Sequence, residues 1–220
     1  MERSESEAMI KYLFDPPGIV KKIYSDFIWN SKSPHVLLTF DDGPTWTSTD
    51  IILKILSDYK IKAVFFCVGN NINNLSQLIS EILNEGHQIG NHTYNHKILT
   101  LLDQKIMHDE INRTNLLMKE KFNYEIKYFR PPHGRFNHYV RKVVSDTNLK
   151  CVMWSLMSFD YKNNLNIVKF AAKSYLKKDS IVVFHDSIKS KSIISDSLKY
   201  TVNSVLEKGF EFGDVGKCLK

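Results

Sequence analysis

The chain has 220 residues, 43% of them hydrophobic, a formal net charge of +6 and three cysteines. Length and apolar content suit one globular domain with a full core, and no run approaches the ~18 apolar residues of a membrane-spanning helix. Cys67, Cys151 and Cys218 show no C-x-x-C spacing, Lys and Arg are scattered, and no aromatic-basic pattern of a nucleic-acid binder is present. The scattered charge is compatible with an anionic glycan or a membrane surface and selects neither.

Residues 1–17 read as a tail that ends in Pro16-Pro17. The stretch Met1 to Met9 is acidic and polar and does not read as a secretory signal, so a cytoplasmic protein is expected unless an export segment is missing from the sequence. Residues 18–30 place Ile19, Val20, Ile23, Tyr24, Phe27 and Ile28 on one helical face, which predicts a short amphipathic helix packed against the domain. Contact of residues 18–30 with a membrane surface is the lesser reading. The organisation expected is therefore residues 1–34 as tail and helix, and 35–220 as one domain.

From residue 35 a rhythm begins. Strand-like runs fall at 35–41, 61–68, 87–91, 126–130, 150–156, 180–185 and 210–214. Between them lie six helical patterns, over 47–59, 72–83, 103–120, a segment capped by Asn137, 164–176 and 195–207. Alternation of this kind predicts an α/β fold with parallel strands and right-handed crossovers. The rhythm leaves an open doubly wound sheet and a closed barrel both standing. Neither G-x-G-x-x-G nor a P-loop pattern occurs, which argues against nucleotide binding.

Five of the seven runs lead into ionisable residues. The run Val36–Leu38 leads through Thr39 and Phe40 to Asp41-Asp42-Gly43-Pro44. Two adjacent carboxylates at the end of a buried strand need a cation, a metal or a shared proton. The plainer alternative is one Asp capping the next helix and one held by local N–H groups. The third strand runs into His92-Thr-Tyr-Asn-His96, the fourth into Arg130-Pro-Pro-His-Gly134, and the sixth into His185-Asp186; Trp154 and Asp160 follow the same logic around the fifth. Parallel strands gather all these ends on one face. On one helical turn His92 and His96 would share a side, and two His with one carboxylate make a three-ligand site with an open position. A carboxylate left over can serve as base, His185 as acid, and Arg130 as a fixed fork for a carboxylate. Taken singly, the two histidines could be unrelated surface residues, Arg130 a surface ion pair and His185 a capped strand end.

Thr39-Phe-Asp-Asp-Gly-Pro44, His92-Thr-x-x-His96, Arg130-Pro-Pro-x-Gly134 and Val183-Phe-His185 together resemble, in order and spacing, the motifs of the polysaccharide deacetylases, carbohydrate esterase family 4. The resemblance covers residues 35–215. It implies a distorted (β/α) barrel of about seven parallel strands and metal-dependent removal of N-acetyl groups from amino sugars, in chitooligosaccharide or peptidoglycan-like glycans. Carried over, the base falls on Asp41 and the metal ligands on Asp42, His92 and His96. The arginine that orients the base falls on Arg130, the acid on His185 and the Asp that tunes it on Asp160. The backbone N–H of His133, after Pro132, would face the oxyanion, and Tyr161 and Trp154 would wall the substrate site. The metal implied is divalent, Zn²⁺ first, with Co²⁺, Ni²⁺ and Mn²⁺ also suited to a His₂Asp set. The sequence departs from the family in four places: His133 replaces a Tyr, Met157 and Tyr161 stand where Asp and Trp are usual, and Val183 replaces a Leu. The rival readings are a deformylase or deacetylase of a lipid- or nucleotide-linked amino sugar, and a sugar-binding relative without catalysis.

Overall fold

The structure, a computed structural model, describes residues 12–220, and the acidic stretch read over residues 1–9 lies outside them. The strands are β1 Leu37–Asp41, β2 Val64–Cys67, β3 Gln88–Asn91, β4 Tyr128–Phe129, β5 Lys150–Cys151, β6 Leu156–Met157 and β7 Ile181–His185. They form one parallel sheet in the order β5-β4-β3-β2-β1-β7-β6. The helices are α1 Gly18–Ile23, α2 Thr49–Asp58, α3 Gly69–Asn74, α4 Ser76–Asn84, α5 Gln104–Phe122, α6 His138–Asp146, α7 Leu165–Tyr175, α8 Ile194–Glu207 and α9 Val215–Cys218.

The sheet has to curl. β5 and β6 lie at opposite ends of the strand order, yet only residues 152–155 separate them. A flat sheet would hold its outer strands about 29 Å apart at a spacing of ~4.8 Å. Five residue steps reach at most about 18 Å. The linker instead bridges the gap: Val152 N–H donates to Phe129 O at 2.8 Å, and Ser155 N–H to Ile181 O at 3.2 Å. The result is the distorted (β/α) barrel.

Four sequence expectations change here. The run over 150–156 is two short strands on opposite edges, because the carbonyls of Val152 and Met153 turn to accept from Arg130 rather than continue a ladder. The 210–214 run is no sheet strand; it makes one bridge, Val36 to Phe212. The helix read over 18–30 stops at Ile23. Beyond it Ile28 bridges to Val152 in the barrel gap, and Phe27, Ile28 and Trp29 are buried. Only Ile19 and Ile23, 70% and 59% exposed, stay on the surface. The stripe over 72–83 also divides, at Leu75, into α3 and α4. Asn137 caps α6 as read, accepting from Val140 N–H, and Asp103 caps α5 by accepting from Ile106 N–H. Among the described residues no helix is long and apolar enough to cross a membrane.

β1 reads as an unbroken apolar run because both its faces are covered. Leu38 and Phe40 pack in the cluster beneath the helices, and Leu37 in the cluster within the barrel. The two-residue period then puts Thr39 and Asp41 on the barrel side with Leu37. Register does the rest, since β1 and β7 pair from Leu37 opposite Ile181 to Asp41 opposite His185.

Candidate active site

β1 ends at Asp41, and the next residue turns sharply: Asp42 has φ +76°. The two adjacent carboxylates are thereby sent to different partners. Asp42 Oδ1 lies 3.0 Å from His96 Nε2 and 3.6 Å from His92 Nε2. His92 Nδ1 is 2.7 Å from Arg130 O, which can only accept, so Nδ1 carries the proton and the Nε2 lone pair faces Asp42. Among the described residues, buried His96 Nε2 has no hydrogen-bond partner beyond its contact with the Asp42 carboxylate. One ligand atom from each of Asp42, His92 and His96 lies within 4.8 Å of the others. A carboxylate and imidazole lone pairs converging on one point suit a divalent cation of the zinc type. The other way to satisfy the geometry is to protonate the imidazoles; against burial, hydrogen bonds from His92 and His96 then hold the Asp42 carboxyl well below the usual range. The histidine loop is not the helical turn expected. It reaches the same convergence through left-handed residues at Thr93 (φ +66°) and His96 (φ +55°).

Asp41 goes inward to Arg130, whose side chain is fully buried. Nη1 donates to Asp41 Oδ1 at 2.7 Å and to Thr39 Oγ1 at 2.8 Å; Nε donates to Val152 O at 2.9 Å and Nη2 to Met153 O at 2.8 Å. The guanidinium carbon sits 4.1 Å above the Phe66 ring. Burial lowers the Arg130 pKa, and Asp41 works against that shift.

Across the register from Asp41, His185 Nδ1 lies 2.7 Å from Asp160 Oδ1, while Asp160 Oδ2 accepts the His185 backbone N–H at 2.8 Å. Ser158 Oγ also donates to Asp160 Oδ1. Burial alone would lower the His185 pKa, but the Asp160 carboxylate outweighs it and raises it to about 9. Tyr161 meets the imidazole edge-on, ring centres 4.7 Å apart.

Asp41, Asp42, His92, His96 and His185 open into one cavity of about 200 Å³. Its walls include Trp154, Met157, Tyr161 and His133, and the His133 ring centre is 4.6 Å from that of His96. Arg130 and Asp160 stand behind this lining. Pro132 is buried in the Pro132–Gly134 turn and does not line the cavity. Gly134 (φ +63°) lies so close under Trp154 that a Cβ would sit 2.3 Å from the indole.

Sequence reading assigned no role to two buried carboxylates. Asp186 accepts from Thr45 Oγ1, Ser48 Oγ and Thr49 Oγ1 at 3.0, 2.6 and 2.6 Å, pinning the loop after Asp42 to the end of β7. Burial raises its pKa to about 6 despite those donors. Glu110 on α5 holds Asn95 in the histidine loop. Asp186 could have been suspected as the second ionisable group of a strand end; Glu110, in the middle of a helix, carried no such signal. Gly134 and Lys189 also line the cavity without having been singled out as site residues.

The family model for polysaccharide deacetylases matches residues 30–152. The chain is similar to two peptidoglycan-N-acetylglucosamine deacetylases of Bacillus cereus. It is 36% identical to one over 67% of this chain and 54% of that protein, and 32% identical to the other over 84% and 88%. It thus spans about half the length of the first relative. Among solved structures, the Bc1960 peptidoglycan N-acetylglucosamine deacetylase superposes with a TM-score of 0.84 at 25% identity, covering 93% of this chain and 97% of that one. With the family's match running through β1 to β5 and the whole barrel superposing, the chain belongs to the polysaccharide deacetylase family.

Proposed function

We propose that the protein removes N-acetyl groups from N-acetylated amino sugars in a glycan of the peptidoglycan or chitooligosaccharide kind. The observation that carries this reading is the division of labour between Asp41 and Asp42. One carboxylate is fixed by a buried arginine, the other faces two imidazoles, and a carboxylate-backed histidine stands across the cavity. The names of the relatives, peptidoglycan deacetylases, support the substrate class.

Asp42, His92 and His96 would hold a divalent cation, Zn²⁺ in first place for a His₂Asp set, with Co²⁺, Ni²⁺ and Mn²⁺ also suited. When bound, the cation lowers the pKa of a water and polarises the amide carbonyl. Asp41, oriented by Arg130, takes the proton of the attacking water as the new C–O bond forms. The His133 backbone N–H, presented by its left-handed turn, faces the developing oxyanion. Asp160 fixes the His185 tautomer with Nδ1–H inward, so Nε2 faces the cavity and gives its proton to the leaving nitrogen as the C–N bond breaks. The products are acetate and a free amino sugar. Trp154 and Tyr161 offer aromatic walls to the sugar ring.

The test is acid release from N-acetylglucosamine oligomers, peptidoglycan fragments and formamido sugars, before and after chelation and Zn²⁺ add-back. Metal-dependent acetate supports the reading. Formate moves the chain to the deformylase reading, and no acid from any substrate with metal bound overturns catalysis.

A further inference from the structure

The loop that carries His92 and His96 is short, irregular and twice left-handed, a conformation that costs residues with a Cβ of order 1 kcal/mol or more each. It persists only if the surroundings hold it. His92 is held on its own account, by its N–H to Cys67 O at 3.0 Å and its Nδ1 to Arg130 O. Among the described residues, His96 Nε2 has only its contact with the Asp42 carboxylate at 3.0 Å.

The start of α3 holds Thr93 O and Tyr94 O through the Gly69 and Asn70 N–H groups, both at 2.9 Å, and α5 holds the side of the loop that leads into His96. Glu110 is 2% exposed. Its Oε2 accepts the Asn95 backbone N–H at 2.7 Å and its Oε1 accepts Asn95 Nδ2 at 2.8 Å, with Lys97 Nζ at 3.3 Å. The same helix receives Asn91 Nδ2 at Ile111 O and at Asn115 Oδ1, both at 2.8 Å. Asn91 Oδ1 in turn accepts the Thr93 N–H, and Arg113 stacks on Tyr94 at 3.8 Å. Burial raises the pKa of Glu110, but the Asn95 donors and Lys97 more than offset it and keep the group ionised at neutral pH. A buried carboxylate is costly unless paired; among the described residues both amide donors to the Glu110 carboxylate come from the residue before His96.

We infer that Glu110 is a positioning residue of the candidate metal centre, clamping Asn95 at both its N–H and its side-chain amide and so fixing the turn that aims His96 at Asp42. This rests on reading Asp42, His92 and His96 as cation ligands. Partners one layer behind the ligands commonly matter tenfold to a hundredfold in metal affinity.

The clamp can be reversed to test it. Glu110→Gln keeps the size but sets one acceptor and one donor against two donors. Asn95→Asp sets carboxylate against carboxylate. In the double variant the glutamine carbonyl accepts the residue-95 N–H and its amide donates to the new carboxylate, so both bonds return with one pair exchanged. The readouts are Zn²⁺ affinity by competition with a chromophoric chelator, the ligand-field spectrum of the Co²⁺ form, and the thermal midpoint of the metal-free protein. We expect each single change to weaken Zn²⁺ about tenfold to a hundredfold and to alter the Co²⁺ spectrum, and the double variant to recover most of both. Asn95→Ala, at an exposed position, should lose several-fold and serves if Glu110→Gln does not fold. Single variants that bind Zn²⁺ as the wild type does, or a double variant as weak as the two losses combined, overturn the inference; so does a lower metal-free midpoint with unchanged affinity. A wild-type chain that binds no Zn²⁺ sinks the underlying metal reading and the inference with it.

Discussion

Arg130 reaches Asp41 Oδ1 at 2.7 Å through Nη1 while its Nε and Nη2 are spent on the carbonyls of Val152 and Met153. One buried cation therefore joins the end of β1 to the segment that closes the barrel. Removing it leaves Asp41 buried without its partner and two carbonyls without donors. Arg130→Ala should cost about 3–5 kcal/mol of stability, read as a lower denaturant midpoint. Arg130→Lys cannot span both carbonyls and Asp41. It should fold with reduced stability and lose turnover while Zn²⁺ affinity changes little.

His185 and Asp160 set the pH behaviour. In the metal-free protein the imidazole should titrate near 9, against about 6.5 in the unfolded chain. A raised folded pKa means that the pair's contribution, on the order of 3 kcal/mol, is fully present below about pH 6.5 and is lost as pH rises through about 9. Asp160→Asn removes the carboxylate but keeps the burial, so the pKa should fall and the pH-dependent stabilisation should vanish. Histidine titration by NMR in both proteins checks this. Binding of a divalent cation adds positive charge beside His185 and should lower its pKa from the metal-free value.

Gly43 is a matter of space. A Cβ there would lie 2.3 Å from Asp186 Oδ2, inside the cage formed by Thr45, Ser48 and Thr49. Gly43→Ala should destabilise by about 1–3 kcal/mol through overpacking. Because Asp42 is the adjacent residue, it should also weaken Zn²⁺ binding. Parallel thermal denaturation and chelator competition measure the two effects.

If Asp42, His92 and His96 hold a cation in the folded chain, Zn²⁺ should raise stability by about 2.7 kcal/mol at a hundred times its dissociation constant. His92→Ala, which removes a ligand whose other nitrogen only reaches Arg130 O, should abolish that increment. A Zn²⁺ titration of the unfolding midpoint reads it directly.

Most of the candidate site's geometry was legible because its residues end strands. Asp41, Asp42, Arg130 and His185 follow apolar runs, and parallel strands bring such ends together whatever the exact register. The histidine pair was legible by spacing, but its loop geometry was not, since nothing local announces left-handed Thr93 and His96. The 150–156 run was misread for a physical reason: its carbonyls at Val152 and Met153 serve a side chain far away in sequence. The 18–30 helix failed similarly, with Ile28 pairing across to Val152 instead of completing a turn. Glu110 and Asp186 stayed unassigned because their importance lies in what they accept, and accepted bonds to distant residues leave no periodic trace.

The most direct measurement is acetate released per bound Zn²⁺ by the wild-type chain and by Asp41→Asn, on an N-acetylglucosamine oligomer. Asp41 lies on the arginine side of the pair and Asp42 on the histidine side. Asp41→Asn should therefore bind Zn²⁺ as the wild type does and lose turnover by about a hundredfold or more. Wild-type turnover in Asp41→Asn with metal bound would contradict the account, because the carboxylate fixed by Arg130 would then not be the base.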